Sequence, residues 1–197
     1  MVLPISAVKS FIVTHPGKTS SFTETMAKLS SSLTSSCLTF LVLISFNPIT
    51  KVASFPTGAP NGTCATLMPG HGHPAQTSPS PYKLALDTTS VKPGEKIKLT
   101  ISGKPGLKGF LAQGRKHSGT GDTTPHGIFT SGGPDSKTIT CHHDHASITH
   151  TNNDVKNSIS VTWTAPQEKG KYQILVTTVQ SFKIYWVAQV ADSIDVQ

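Results

Sequence analysis

The densest run of β-forming residues lies near the C-terminus, in residues 171–190, KYQILVTTVQSFKIYWVAQV. Tyr172, Ile174, Val176 and Thr178 alternate with Gln173, Leu175, Thr177 and Val179, and β-branched and aromatic side chains suit a pleated, half-buried surface better than a helix. The polar break at 180–183, followed by Ile184, Tyr185, Trp186 and Val187, has the spacing of two antiparallel strands joined by a tight connection. Apolar residues fall on both sides of each strand, which places the hairpin in the middle of a sheet whose inner face is covered by a second sheet. A lone hairpin is marginal in water, so its partners must come from upstream.

Those partners recur at short intervals. Tyr82, Leu84 and Leu86 alternate with polar residues, Lys92-Pro93-Gly94-Glu95 supplies a turn, and Ile97, Leu99 and Ile101 follow. Residues 103–106 turn the chain again, and 107–113 form a further strand in which Gly109 signals a bulge or a close backbone approach. Residues 115–134 are polar and glycine-rich, a loop or a pair of short edge strands anchored by Ile128 and Phe129. Strands at 137–141, 146–149 and 157–164 complete the set, with Ile159, Val161 and Trp163 alternating along the last. About seven to nine short strands with turn signals every 8–12 residues or so predict an all-β fold over residues 82–197, an immunoglobulin-like antiparallel β-sandwich. The Cys–Trp–Cys spacing of true immunoglobulin domains is absent, because Cys64 precedes the first strand.

The first 54 residues read differently. Residues 37–46, CLTFLVLISF, are too few to span a bilayer but suffice for the core of a signal peptide. Counted from Met26, the preceding segment is short and carries Lys28, so Met26 is a candidate start. Val52, Ala53 and Ser54 put small residues where a signal peptidase reads, which predicts cleavage before Phe55. A buried core helix is the competing reading. No later stretch reaches membrane-spanning length, so the expectation is a secreted, extracellular protein. Residues 55–81 are rich in Pro and Gly and predict an extended, irregular arm.

Composition sharpens this picture. Charged residues make only 14% of the chain, against about 25% in an average protein, while Ser and Thr together supply 49 of its 197 residues, a hydroxyl-rich, β-leaning surface. The net charge of +7 falls to +4 over residues 55–197, where 13 Lys/Arg face 9 Asp/Glu without a basic run or interleaved aromatics. Nucleic acid is therefore not an expected partner. With Cys37 in the presumed signal, Cys64 and Cys141 remain as a pair in an oxidising compartment, and a disulfide pinning the arm to the body is expected. Asn61-Gly62-Thr63 is a glycosylation sequon, so Asn61 is a candidate glycan acceptor.

Several separate motifs carry a resemblance. FPTGAP at 55–60 followed by Cys64, MPGHG at 68–72, KGFLAQGR at 108–115, VTWTAP at 161–166 and IYW at 184–186, in this order, resemble the reeler domain family over about residues 55–190. The resemblance implies an immunoglobulin-like sandwich with Cys64 bonded to Cys141. The family includes the N-terminal part of reelin, the extracellular part of ferric-chelate-reductase-like membrane proteins, and short stand-alone secreted invertebrate proteins implicated in defence against microbes. This chain is most similar to the last type.

Histidine is the conspicuous polar feature, with eight of nine lying after Phe55. If the disulfide tethers His71 and His73 near His142, His143 and His145, imidazoles from two remote segments could converge on Zn or Cu. A solvated loop held by the disulfide is the competing reading. The histidines also permit a pH response, the net charge rising toward pH 5 and strengthening adhesion to anionic cell walls. Ser118, Asp122 and His126 supply triad residue types, yet no nucleophile elbow positions them, and the dispersed acids offer no glycosidase pair; no catalysis is expected. Trp163, Tyr185 and Trp186 are either core or a sugar-stacking platform. Tyr185 points opposite to Trp186, so one of the two faces outward or into a loop, which makes Tyr185 a candidate ligand-facing aromatic. The expected function is innate defence by binding microbial cell-wall components or cell-surface glycans, or by aggregating cells. The alternative is an extracellular matrix or metal-handling module of the ferric-reductase-associated type.

Overall fold

The computed structural model describes residues 55–118 and 121–197. Residues 1–54, with the expected signal peptide and the candidate start at Met26, lie outside the described residues. Among the described residues ten strands form: β1 (Tyr82–Leu86), β2 (Ser90–Val91), β3 (Lys96–Leu107), β4 (Gly109–Lys116), β5 (Ile128–Thr130), β6 (Ser136–Cys141), β7 (His143–His150), β8 (Lys156–Thr164), β9 (Gly170–Ser181) and β10 (Ile184–Val196). One sheet has the order β1-β3-β8-β5 and the other β2-β10-β9-β4-β7-β6. The count exceeds the expected seven to nine because β2 is a two-residue strand, paired in parallel with the end of β10, that no alternation signals.

The alternating residues do what their period dictates. Ile97, Leu99 and Ile101 of β3 pair with Trp163, Val161 and Ile159 of β8, and all six turn into the core. From the opposite sheet Phe110, Ala112, Ile148, Tyr172, Ile174, Val176 and Trp186 close over them. Each fully buried Leu, Ile or Phe contributes about 1.5–3 kcal/mol relative to exposure, so this layer is the main source of stability. Residues 103–106 do not turn the chain. They form an irregularity inside β3, where its register with β8 shifts between Ser102 and Leu107. Of the 115–134 segment, β4 takes the start and β5 adds an edge strand with Phe129 buried and Ile128 exposed.

The C-terminal hairpin forms as β9 and β10, with β9 central and β10 edged by β2. Its two-sided apolarity has a further cause. Leu111 of β4 and Leu175 of β9 face away from the sandwich core and are buried with Leu67 of the arm. The arm therefore covers the outer face of the six-stranded sheet, and β4 and β9 are buried on both faces.

Candidate functional site

The arm is bonded to that outer face along its length. At its start the Phe55 carbonyl accepts from His150 Nε2 at 3.2 Å, and the Ala59 N–H donates to Thr149 Oγ1 at 3.0 Å. Next comes the Cys64–Cys141 disulfide, with Cα atoms 5.7 Å apart. Beside it the buried Arg115 guanidinium donates to the carbonyls of Cys64 at 3.0 Å and Ala65 at 2.8 Å. Its Nε donates to Gln113 Oε1 at 2.7 Å, and Gln113 donates on to Ser147 Oγ at 2.8 Å. Every link of this chain is partnered, and all but the part-buried bond to the Ala65 carbonyl are buried, which fixes the arm's path. Leu67 adopts φ 55° to bury its side chain, while its carbonyl accepts from Thr177 Oγ1 at 2.8 Å. Farther on, His71 stacks on Phe182 with centroids 4.7 Å apart and meets Tyr185 edge-on at 5.4 Å. The Tyr185 hydroxyl donates to the His73 carbonyl, and Trp186 Nε1 donates to the Ser78 carbonyl at 2.8 Å.

Between the arm and strands β4 and β9 lies a cavity of about 260 Å³. Phe55, Pro60 and Leu67 wall it from the arm, Phe110, Leu111 and Val179 from the sheet, and His71, Lys108, His150 and Phe182 stand around it. Two of these are buried histidines held below the usual imidazole range. For His71, burial lowers the pKa, a bond to the Phe182 backbone opposes this, and His73 adds to the lowering. Burial also lowers His150, against its bonds to the Phe110 and Phe55 backbone, and Lys156 and Lys137 reinforce the lowering. His150 Nδ1 lies 3.2 Å from the Phe110 nitrogen and from Thr149 Oγ1 and 3.3 Å from the Phe110 carbonyl, whereas Nε2 meets only the Phe55 carbonyl among the described residues, so the proton of the neutral ring is assigned to Nε2. The ring lies directly over Gly109, whose missing Cβ would come within 2.8 Å of it. That is the close approach the glycine signalled.

The five candidate metal ligands do not come together. His142, the residue between β6 and β7, and His143 and His145, at the start of β7, are exposed, with His142 and His145 at φ 68° and 58°. His143 Nε2 is 3.0 Å from the Gly127 carbonyl and His145 Nδ1 is 2.7 Å from Thr138 Oγ1. The disulfide does bring Cys64 to this end. From there the arm runs from the level of Arg115 to that of Gly109, about 20 Å of strand at ~3.3 Å per residue, carrying His71 and His73 away. Among the described residues no group of three or more His, Cys, Asp or Glu is placed to hold a metal ion. Tyr185 is not ligand-facing: it does point opposite to Trp186, but the arm covers it completely. Trp163 is core, its Nε1 donating to the His126 carbonyl at 3.0 Å. Of the triad types, Asp122 accepts from the Thr124 N–H at 2.8 Å and the His126 ring lies against Tyr172. Asn61 is exposed at the start of a 3-10 turn, Asn61–Thr63. Sequence reasoning missed His150 and Phe182, and saw Lys108 and Arg115 only as the two ends of a motif. The available signal was weak, a histidine closing the one strand that the His-rich segment opens.

A family model of the Reeler domain matches residues 62–197. The chain is 35% identical over 140 residues to "Putative defense protein 3" of Antheraea mylitta, covering 69% of this chain and 83% of that protein. It is 34% identical over 142 residues to human ferric-chelate reductase 1, but spans only 24% of that protein's length. The crystal structure of the human F-spondin reeler domain superposes with a TM-score of 0.54 at 18% identity, over 64% of this chain and 95% of that one.

Proposed function

The chain belongs to the reeler domain family, and from that premise we propose that it is a secreted defence protein that recognises microbial surfaces by binding, without catalysis. The observation that carries this reading is the cavity between the disulfide-pinned arm and the sheet, a concave, mostly apolar site on a rigid support, of the kind that holds ligands. No nucleophile, base and orienting group meet there. The similarity to a defence protein over most of both chains supports the same reading, whereas the ferric-chelate reductase shares only the part that this chain matches.

The test is a pull-down of the secreted protein on live bacteria, lipopolysaccharide, peptidoglycan and β-glucan, with and without chelator. Saturable binding to at least one of these, unchanged by chelator, is expected. Binding to none would overturn the reading in favour of a matrix module, and binding abolished by chelator would favour metal handling.

A further inference from the structure

We propose that the cavity under the arm holds the acyl chain of an anionic single-chain amphiphile, with the anionic head at Lys108. The inference rests on the reading of this cavity as the recognition site and names its ligand class.

The walls call for an apolar body. Several polar groups of the wall are already used within the protein: the Lys108 N–H donates to the Val179 carbonyl at 2.8 Å, Thr177 Oγ1 to the Leu67 carbonyl, and the Phe110 N–H to His150, which leaves the buried Nδ1 of His71 as a polar atom without a partner among the described residues. A ligand rich in hydrogen-bonding groups would leave its own groups unpaired against them, at a cost. The mouth calls for a negative head. Its exposed residues include Phe55, Phe182 and Lys108. No Asp or Glu lines the cavity, and no ion pair among the described residues engages Lys108. The two histidines in the wall become cationic, not anionic, when they titrate. Phe55 and Phe182 are each 38% exposed at this mouth, apolar surface that an emerging chain would cover. The size calls for a short chain. At roughly the ~30 Å³ of a liquid water molecule per chain carbon, 260 Å³ takes about nine carbons.

The experiment is calorimetric titration of the protein, produced from the full chain in a secretory host, with sodium hexanoate, octanoate, decanoate and dodecanoate below their micellar concentrations. Decanol and inorganic phosphate are the controls. Affinity is expected to rise about fourfold per methylene, as transfer of ~0.8 kcal/mol per CH₂ requires, and to level off near ten carbons. Lys108→Gln, at an exposed position, should weaken decanoate about tenfold and leave decanol unchanged. Ala59→Phe, which puts a ring into the cavity, should abolish binding of both, and if that variant does not fold the Lys108→Gln result decides. No alkanoate binding, no dependence on chain length, or equal decanoate affinity in Lys108→Gln overturns the proposal. A protein that binds bacteria but ignores alkanoates refutes this ligand and leaves the defence reading standing. The reverse outcome refutes the defence reading alone.

Discussion

His150 shows how one side chain can make the arm's attachment depend on pH. With the ring neutral, its Nδ1 accepts from the Phe110 N–H and its Nε2 donates to the Phe55 carbonyl. Protonation would place a cation in a buried site beside Lys156 and Lys137, a cost that the Phe110 carbonyl, 3.3 Å from Nδ1, offsets only in part. Because the native pKa of His150 is lowered, and that of His71 likewise, the unfolded chain takes up protons first as pH falls. Stability should therefore be complete above the unfolded value near ~6.5 and decline below it until the native pKa values are passed, by about 1.4 kcal/mol for each unit of lowering. Urea midpoints at pH 7.5 and 5.5 measure this: a lower midpoint at 5.5 is expected, with a smaller drop in His150→Gln, which keeps a donor and an acceptor but does not titrate. An equal drop in the variant would place the sensitivity elsewhere.

At the scale of elements, the arm and strands β4 and β9 depend on each other. The arm has no regular partner strand, so its backbone groups are satisfied one at a time by Thr149, Arg115, Thr177, Tyr185 and Trp186. In return it keeps Leu111, Leu175 and Tyr185 out of water. The disulfide makes this arrangement hold in so irregular a segment. Joining residues 77 apart, it disfavours the unfolded chain by about 4–5 kcal/mol in the chain-entropy model. The double variant Cys64→Ala/Cys141→Ala should lose stability of that order in urea unfolding, and should bind a dye specific for exposed apolar surface under native conditions as the arm loosens. Unchanged dye binding would mean that the hydrogen bonds alone hold the arm.

For the molecule as a whole, the expectations that fall on the leader and on Asn61 meet in one measurement. Expression of residues 1–197 in a secretory eukaryotic host should yield medium protein that begins at Phe55 and carries a glycan at Asn61, exposed on the arm, read by intact mass before and after glycosidase and lost in Asn61→Gln. Protein retained in cells with the leader attached would contradict the secretory reading. The strands, the pairing of β9 with β10, the sandwich and the disulfide were legible in the residues, because period-two alternation is a local consequence of which face of a strand is buried. Two-sided apolarity in residues 171–190 placed the hairpin in the middle of a sheet under a second sheet, but did not announce the arm on the outer face. The sequence by itself thus determined the class of fold and the one covalent tie. Only the tertiary structure decided the path of the arm, and with it where the histidines lie: His71 was carried along the sheet to Phe182, His142, His143 and His145 stayed exposed where β6 passes into β7, and His150, unremarkable in sequence, was buried at the cavity wall. The physical reason is that an irregular segment has no period to read. Its course is chosen by side-chain bonds to residues about 50 to 110 positions away, which have no local trace in the chain.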